Sequence, residues 1–296
     1  MTNETPPPTV DADAIREVAD GVFVIPDHRV PLVPNIGIIV GQDAALVVDT
    51  GLGPKNGERV LAAARRVAGG KRLFLTLTHF HPEHGYGAQV FKGEATIVYN
   101  RAQREDLAAK GEGYLGMFRQ IFPPAVSEAL EGTKLVAPDI AYDGASCEID
   151  LGGCRVELRT FGMAHTRGDQ IVTVPSRGVL FTGDLAEEKT FPIFPWFPPD
   201  DTDIDGANWA DALDACARLQ PAIVVPGHGE VGTVAILQDV RGYMLALSRE
   251  VSERRRKGES AEAIVAEWAP KVRAQYPDWH FPEWIDFAIK YYAAVP

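Results

Sequence analysis

The chain has 296 residues, 46% of them hydrophobic and 24% charged, enough apolar material for one large domain or two small ones. Its formal net charge of -12 repels a phosphate backbone, so no nucleic-acid partner is expected. No apolar run approaches the ~20 residues that span a bilayer, so no membrane partner is expected either.

Residues 1–14 (MTNETPPPTVDADA) lack the basic and apolar regions of a secretory signal. They are expected to form a short disordered lead to one domain over 15–296. Cys147, Cys154 and Cys216 form no CxxC pattern, and their odd number forbids full pairing. Read as reduced, with Cys216 in a helical core, they fit a cytoplasm, and a signal processed away upstream stays open.

Residues 21–27 read as a strand, and 34–51 as two strands around a Gly-Gln-Asp turn. A helix follows over 54–68, with Val60, Leu61, Ala64 and Val67 on one face. Residues 72–78 form a short apolar strand of the buried type, 95–99 another strand, and 101–110 begin a charged helix. The stretch 111–145 mixes Gly, Pro and aromatics and is expected to hold a helix and a loop. From 147 to 184 the pattern is strand-like, 207–218 is helical, and 222–228 is again a buried strand. Helices over 233–256, 260–273 and 282–293 make a C-terminal helical extension over 233–296. The basic run Arg254-Arg255-Arg256-Lys257 reads as the polar end of the first of these. Strands joined by short turns, with helices between, predict a mixed, layered α/β fold.

Histidine is scarce at seven residues, yet three fall within His79-Phe80-His81-Pro82-Glu83-His84. The strand ending at Thr78 delivers His79 and His81 to one rim, and the following turn brings Glu83 and His84 there. Gly85 and Gly87 let the backbone fold tightly around an ion. Other hydrophobic runs end in polar residues: His165 in GMAHTRGD, Asp184 after GVLFTG, and His228 after AIVVPG. Each alone would pass as a turn or cap residue, but together they point to metal. Imidazole and carboxylate donors suit zinc, and also iron or manganese.

In this order the segments resemble the metallo-β-lactamase superfamily over about residues 20–232. The resemblance implies a four-layer αβ/βα sandwich with metals at one edge between two sheets. By that resemblance His79, His81 and His165 hold a first zinc ion, while Glu83, His84 and His228 hold a second. Asp184 bridges the two, and Asp49, in Val48-Asp49-Thr50-Gly51, hydrogen-bonds a metal-binding histidine. The family usually has aspartate where this chain has Glu83, which puts occupancy of the second position in question.

Paired cations lower the pKa of a bridging water, giving hydroxide that attacks a polarised carbonyl or phosphoryl centre. Glu83 and Asp184 are the candidates to orient that nucleophile and to pass a proton to the leaving group. No Gly-x-Ser-x-Gly elbow competes. Two aromatic stretches are expected to line the cleft. One holds Tyr114, Met117, Phe118 and Phe122, and the other includes Phe194 and Trp196. That wall favours a zinc-dependent hydrolase acting on an ester, lactone, thioester or amide of a partly apolar small molecule. The bridging aspartate resembles the thioesterase and lactonase branches more than dedicated β-lactamases. The aromatic tail, from Trp279 to Tyr292, covers the cleft, caps the core or forms a homodimer contact. Three other readings stay open: a β-lactamase, a mononuclear iron oxidoreductase of the persulfide-dioxygenase type, and a non-catalytic zinc protein.

Overall fold

In a computed structural model that describes residues 6–295, two sheets face each other with helices on both outer sides. The first sheet holds β1 (Arg16–Ala19), β2 (Val22–Ile25), β3 (Ile36–Val40), β4 (Ala44–Val48), β5 (Arg72–Thr76), β6 (Ala95–Asn100) and β7 (Ile140–Tyr142), in that spatial order. Neighbours from β1 to β4 run antiparallel, and those from β4 to β7 run parallel. The second sheet orders β12 (Ile223–Val225), β11 (Val179–Phe181), β10 (Gln170–Val174), β9 (Arg155–Thr160) and β8 (Ser146–Asp150). Here β11 and β12 are parallel and the other pairs antiparallel.

The helices are α1 (Pro54–Ala68), α2 (Pro82–Gly85), α3 (Arg101–Ile121), α4 (Pro124–Ala129), α5 (Gly206–Arg218), α6 (Ala235–Arg256), α7 (Ala261–Gln275) and α8 (Trp284–Ala294). The period-2 alternation of strands divides the interior into three cores. In β4, Ala45 and Val47 face α1, while Ala44, Leu46 and Val48 face the opposite sheet. In β11, Leu180 faces α5 and α6, while Val179 and Phe181 face the first sheet. Both faces of these strands are buried, which is why they read as unbroken apolar runs. The sheets approach closely at Gly37, where a Cβ would lie 2.5 Å from the Phe181 ring. The fold is the four-layer αβ/βα sandwich expected.

Three stretches differ from the sequence reading. Within the uncertain 111–145 segment, α3 simply continues to Ile121, and Gly111, Gly113 and Gly116 had hidden its periodicity. Its buried stripe is Leu107, Gly111, Tyr114, Leu115 and Phe118. The edge strand β1 has only two apolar residues and β7 is only three residues long, so neither shows as a strand. Of the expected disordered lead, residues 1–5 lie outside the described residues, but 6–14 are packed. Val10 is fully buried, its N–H donates to Asn56 Oδ1 at 2.9 Å, and Asn56 Nδ2 donates to the Pro8 carbonyl at 2.7 Å.

The C-terminal helices cover the outer face of the second sheet: Leu237, Val240 and Met244 of α6 share a core with Ile171, Leu180 and Val224. The basic run pairs with acids of α6 and of the following turn and helix, Arg254 with Glu250, Glu259 and Glu267, and Lys257 with Glu253. No helix among the described residues is long and apolar enough to cross a membrane. The three cysteines are free.

Candidate metal centre

Five chain segments deliver polar side chains to one edge of the sandwich. Asp49 follows β4, the 79–84 segment follows β5, His165 precedes β10, Asp184 follows β11, and His228 follows β12. Pro82 opens α2 with a fixed φ, so one helical turn carries Glu83 and His84 back over the end of β5. The Thr50 amide and hydroxyl both donate to the His84 carbonyl, at 2.8 and 2.9 Å, and pin that turn to the end of β4. The His165 loop is closed by Asp169, which accepts from the Thr166 amide at 2.7 Å and hydroxyl at 2.8 Å. Gly227 must be glycine, because a Cβ there would meet Asp184 Oδ1 at 2.0 Å.

All seven candidate ligands converge, in two groups. His79, His81 and His165 form one, and Glu83, His84, Asp184 and His228 the other. Within each group the donor atoms lie within 4.8 Å of one another. The longer Glu83 side chain therefore still reaches the second group. Asp184 stands between the two: Oδ2 is 3.8 Å from His79 Nε2, while Oδ1 is 3.2 Å from His84 Nε2 and 3.7 Å from His228 Nε2.

The donors fit a cation. His81 Nδ1 and His165 Nε2 are 3.2 Å apart. Two imidazoles on one tetrahedral ion at about 2.0–2.1 Å are separated by about that much. His79 Nε2 and Glu83 Oε2, one from each group, are buried with no hydrogen-bond partner among the described residues, a cost that a cation at each group removes.

Burial holds His79 and His81 well below the usual histidine pKa and His165 down at about 4, so all three are neutral donors. Burial also works against a charge on His84, but Asp184 and Asp49 overcome it and raise its pKa well above the usual value. Burial opposes ionisation of Asp184 as well, yet His84 and His228 hold its carboxyl well below the usual range. Burial raises the Glu83 pKa.

Asp49 accepts from the Thr78 amide at 2.7 Å and hydroxyl at 2.9 Å, and its Oδ2 sits 2.9 Å from His84 Nδ1, turning Nε2 toward the centre. Asp49 holds a left-handed φ of 68°, a strained backbone kept by these bonds. Asp27 was not singled out in the sequence, although it ends a strand as Asp49 does. It is buried, accepts from the Gly229 amide at 2.9 Å and lies 4.0 Å from His228 Nδ1. Asn35 donates to the Pro226 and Gly229 carbonyls, at 3.0 and 2.8 Å, on either side of His228. Glu187, one turn beyond Asp184, is a further buried acid, its pKa raised by burial and by Asp184.

A cavity of about 170 Å³ opens onto His81, Glu83, Asp184 and His228. Tyr114, Met117, Phe118 and Phe122 line it, and Tyr114 stacks on the His81 ring at 5.1 Å. Phe194 and Trp196, expected at the cleft, turn away from it. Phe194 packs on Trp209, Tyr291 and Tyr292, and Trp196 on Tyr291. Side chains alternate along this extended segment, so Ile193, Pro195 and Phe197 face the cavity instead. The aromatic tail divides likewise: Trp279, Tyr291 and Tyr292 cap the core, whereas Phe281 and Trp284 line the cavity.

The sequence pattern of the metallo-beta-lactamase superfamily matches residues 29–228. The chain is 22% identical over 216 residues to a linear primary-alkylsulfatase of Pseudomonas sp., covering 65% of this chain and 41% of that protein. It is 23% identical over 239 residues to an acyl-coenzyme A thioesterase of Bos taurus, covering 73% and 80%. A stereoselective inverting sec-alkylsulfatase from Pseudomonas sp. superposes with a TM-score of 0.72 at 16% identity, over 94% of this chain and 49% of that one. A metallo-beta-lactamase from Pontibacter korlensis superposes at 0.62 and 17% identity, over 78% and 98%. The chain thus spans less than half the length of these two alkylsulfatases. Match, fold and clustered donors agree, and the chain belongs to the metallo-beta-lactamase superfamily.

Proposed function

We propose that this chain uses two zinc ions to hydrolyse an ester, lactone, thioester or amide of a partly apolar small molecule. The observation that carries the proposal is the split of Asp184, one carboxylate oxygen toward His79 and the other toward His84 and His228. A donor set of imidazoles and carboxylates, without cysteine, suits zinc. Bound there, a pair of ions would lower the pKa of a shared water and polarise the substrate oxygen.

The chain's own residues supply the rest. Asp49 fixes the His84 ring, and Asp27 places a carboxylate 4.0 Å from His228 Nδ1. Glu83 and Asp184 face the cavity, where each is placed to orient the attacking water and to carry its proton toward the leaving group. The apolar wall of α3 and the tail binds the non-reacting part of the substrate and excludes bulk water. Arg29 is the one lysine or arginine among the described lining residues, and it is paired with Glu188. A neutral carbonyl substrate suits that lining better than an anionic one. The free cysteines are compatible with a cytoplasmic site of action.

A second reading, hydrolysis of an alkyl sulfate ester, is favoured by the two alkylsulfatase likenesses. Metal analysis beside a panel of ester, lactone, thioester, amide, β-lactam and alkyl sulfate substrates separates the readings. The expected result is about two zinc ions per chain and chelator-sensitive turnover of one carbonyl class. Turnover of alkyl sulfates alone would move the assignment to the second reading. One iron per chain with oxygen uptake and no hydrolysis would overturn both.

A further inference from the structure

Three observations converge on the far end of the cavity. First, it is not the end of the apolar space. A second cavity of about 30 Å³ lies beyond it, lined by Pro6, Pro8, Pro123 and Val126. The two share Pro31, Leu32 and Phe122, so these residues form the partition between them. Second, an aromatic ladder leads from the metal centre to the partition. Tyr114 and Phe118 lie one turn apart on one face of α3, and Phe122, four residues on, is the extended residue that caps the helix. Their ring centroids are 6.5 and 4.8 Å apart, and the ladder begins at Tyr114, stacked on His81. Third, Leu32, which lines both cavities as Phe122 does, sits at a strained backbone. Its φ is 61°, in the left-handed region, and His28 and Arg29 of the same loop are left-handed too. A leucine is costly there, and such strain persists where a side chain must point one way.

We propose that the substrate carries an unbranched alkyl or acyl chain that runs along the Tyr114–Phe118–Phe122 ladder, and that Leu32 and Phe122 set the chain length accepted. This deepens the hydrolase reading and rests on it for the reaction, not for the binding. The ladder spans about 12 Å from Tyr114 to Phe122, the length of an extended chain of about ten carbons. Shorter chains stop within the first cavity. Longer ones must pass the Leu32–Phe122 partition into the second, beside the exposed Pro6. Each methylene buried before the partition should tighten binding roughly three- to fourfold. Branched or bulky groups should gain nothing past the first few carbons, since two side chains close the path.

The test uses two readouts on the full chain: displacement of a fluorescent apolar dye by straight-chain primary alcohols, and kcat/KM for a matching series of straight-chain esters. Binding should strengthen with length and then level off near ten carbons. Phe122→Ala should move that plateau at least two carbons longer. Leu32→Gly relieves the backbone strain and removes the side chain, so it should move the plateau the same way without loss of folded protein. A plateau that stays at the same length in both variants, or an equal loss of affinity at every length, would overturn the proposal. Plateau shifts with alcohols but no turnover of any ester would keep the chain-binding inference and remove the reaction.

Discussion

The two ligand groups are built from different materials. His79, His81 and His165 are three imidazoles, all buried and all pushed toward the neutral form by burial. Glu83, His84, Asp184 and His228 mix charge signs and lean on outer carboxylates, Asp49 behind His84 and Asp27 beside His228. The second group is also the more open, with the His228 side chain 18% exposed against 1% for His79. Neutral donors in a rigid pocket bind a cation without rearranging a charge network. Donors tied to carboxylates depend on partners several residues away. The first group should therefore behave as the permanent anchor, and the second as the tunable, substrate-facing position.

The largest effect tests the anchor. His81→Ala or His165→Ala should lower turnover by about 10³-fold or more, with the far-ultraviolet dichroism of the folded chain unchanged. Wild-type turnover in either variant would remove the first group from the reaction. Next comes metal removal. Graded chelation should strip the second group first, giving a species with one ion and much reduced turnover, before the last ion leaves and the melting temperature drops by several degrees. Loss of both ions in one step would erase the distinction between the groups. Asp49→Asn should follow in size. It removes the acceptor that aims His84, so affinity at the second position should fall about 10–100-fold while the first ion stays bound. Equal weakening of both positions would show that Asp49 supports the whole edge of the sheet rather than one ring.

The anchor was also the more legible part of the sequence. His79 and His81 follow an apolar strand at a spacing that few other structures explain, and in the second group Asp184 and His228 stand out as polar residues closing buried runs. The layered fold was legible for the same reason: strands buried on both faces, such as β4 and β10, leave unbroken apolar stretches. Asp49 was legible through the family resemblance of Val48-Asp49-Thr50-Gly51, whereas Asp27, also just past a strand, carries no such motif. The cleft wall was half legible. Tyr114, Phe118 and Phe122 recur every four residues, which marks an apolar wall, but the nearby glycines blur the helix that carries the first two. Phe194 and Trp196 lie in a proline-rich segment where composition marks an aromatic wall but not which side each ring takes. The parity of that segment is set by Trp209, Tyr291 and Tyr292, which are remote in sequence and claim the alternate residues for the core.

The smallest effect addresses the one departure from the family pattern. Glu83 reaches the second group because α2 lifts it there, and its Oε2 is buried with no hydrogen-bond partner among the described residues. Shortening it by one methylene in Glu83→Asp costs little packing but draws the carboxylate back toward the α2 backbone. If the second position is tuned by that reach, the variant should bind its second ion more tightly and keep turnover within about threefold of the parent, since water activation depends on both ions staying in place. Metal titration followed by activity at each occupancy reads both quantities. Loss of the second ion would mean that the longer side chain is what closes the gap to Asp184, and that the tunable position was tuned to glutamate. Loss of the first ion as well would end the separation of anchor and substrate-facing group, because Glu83 has no donor atom grouped with His79, His81 and His165.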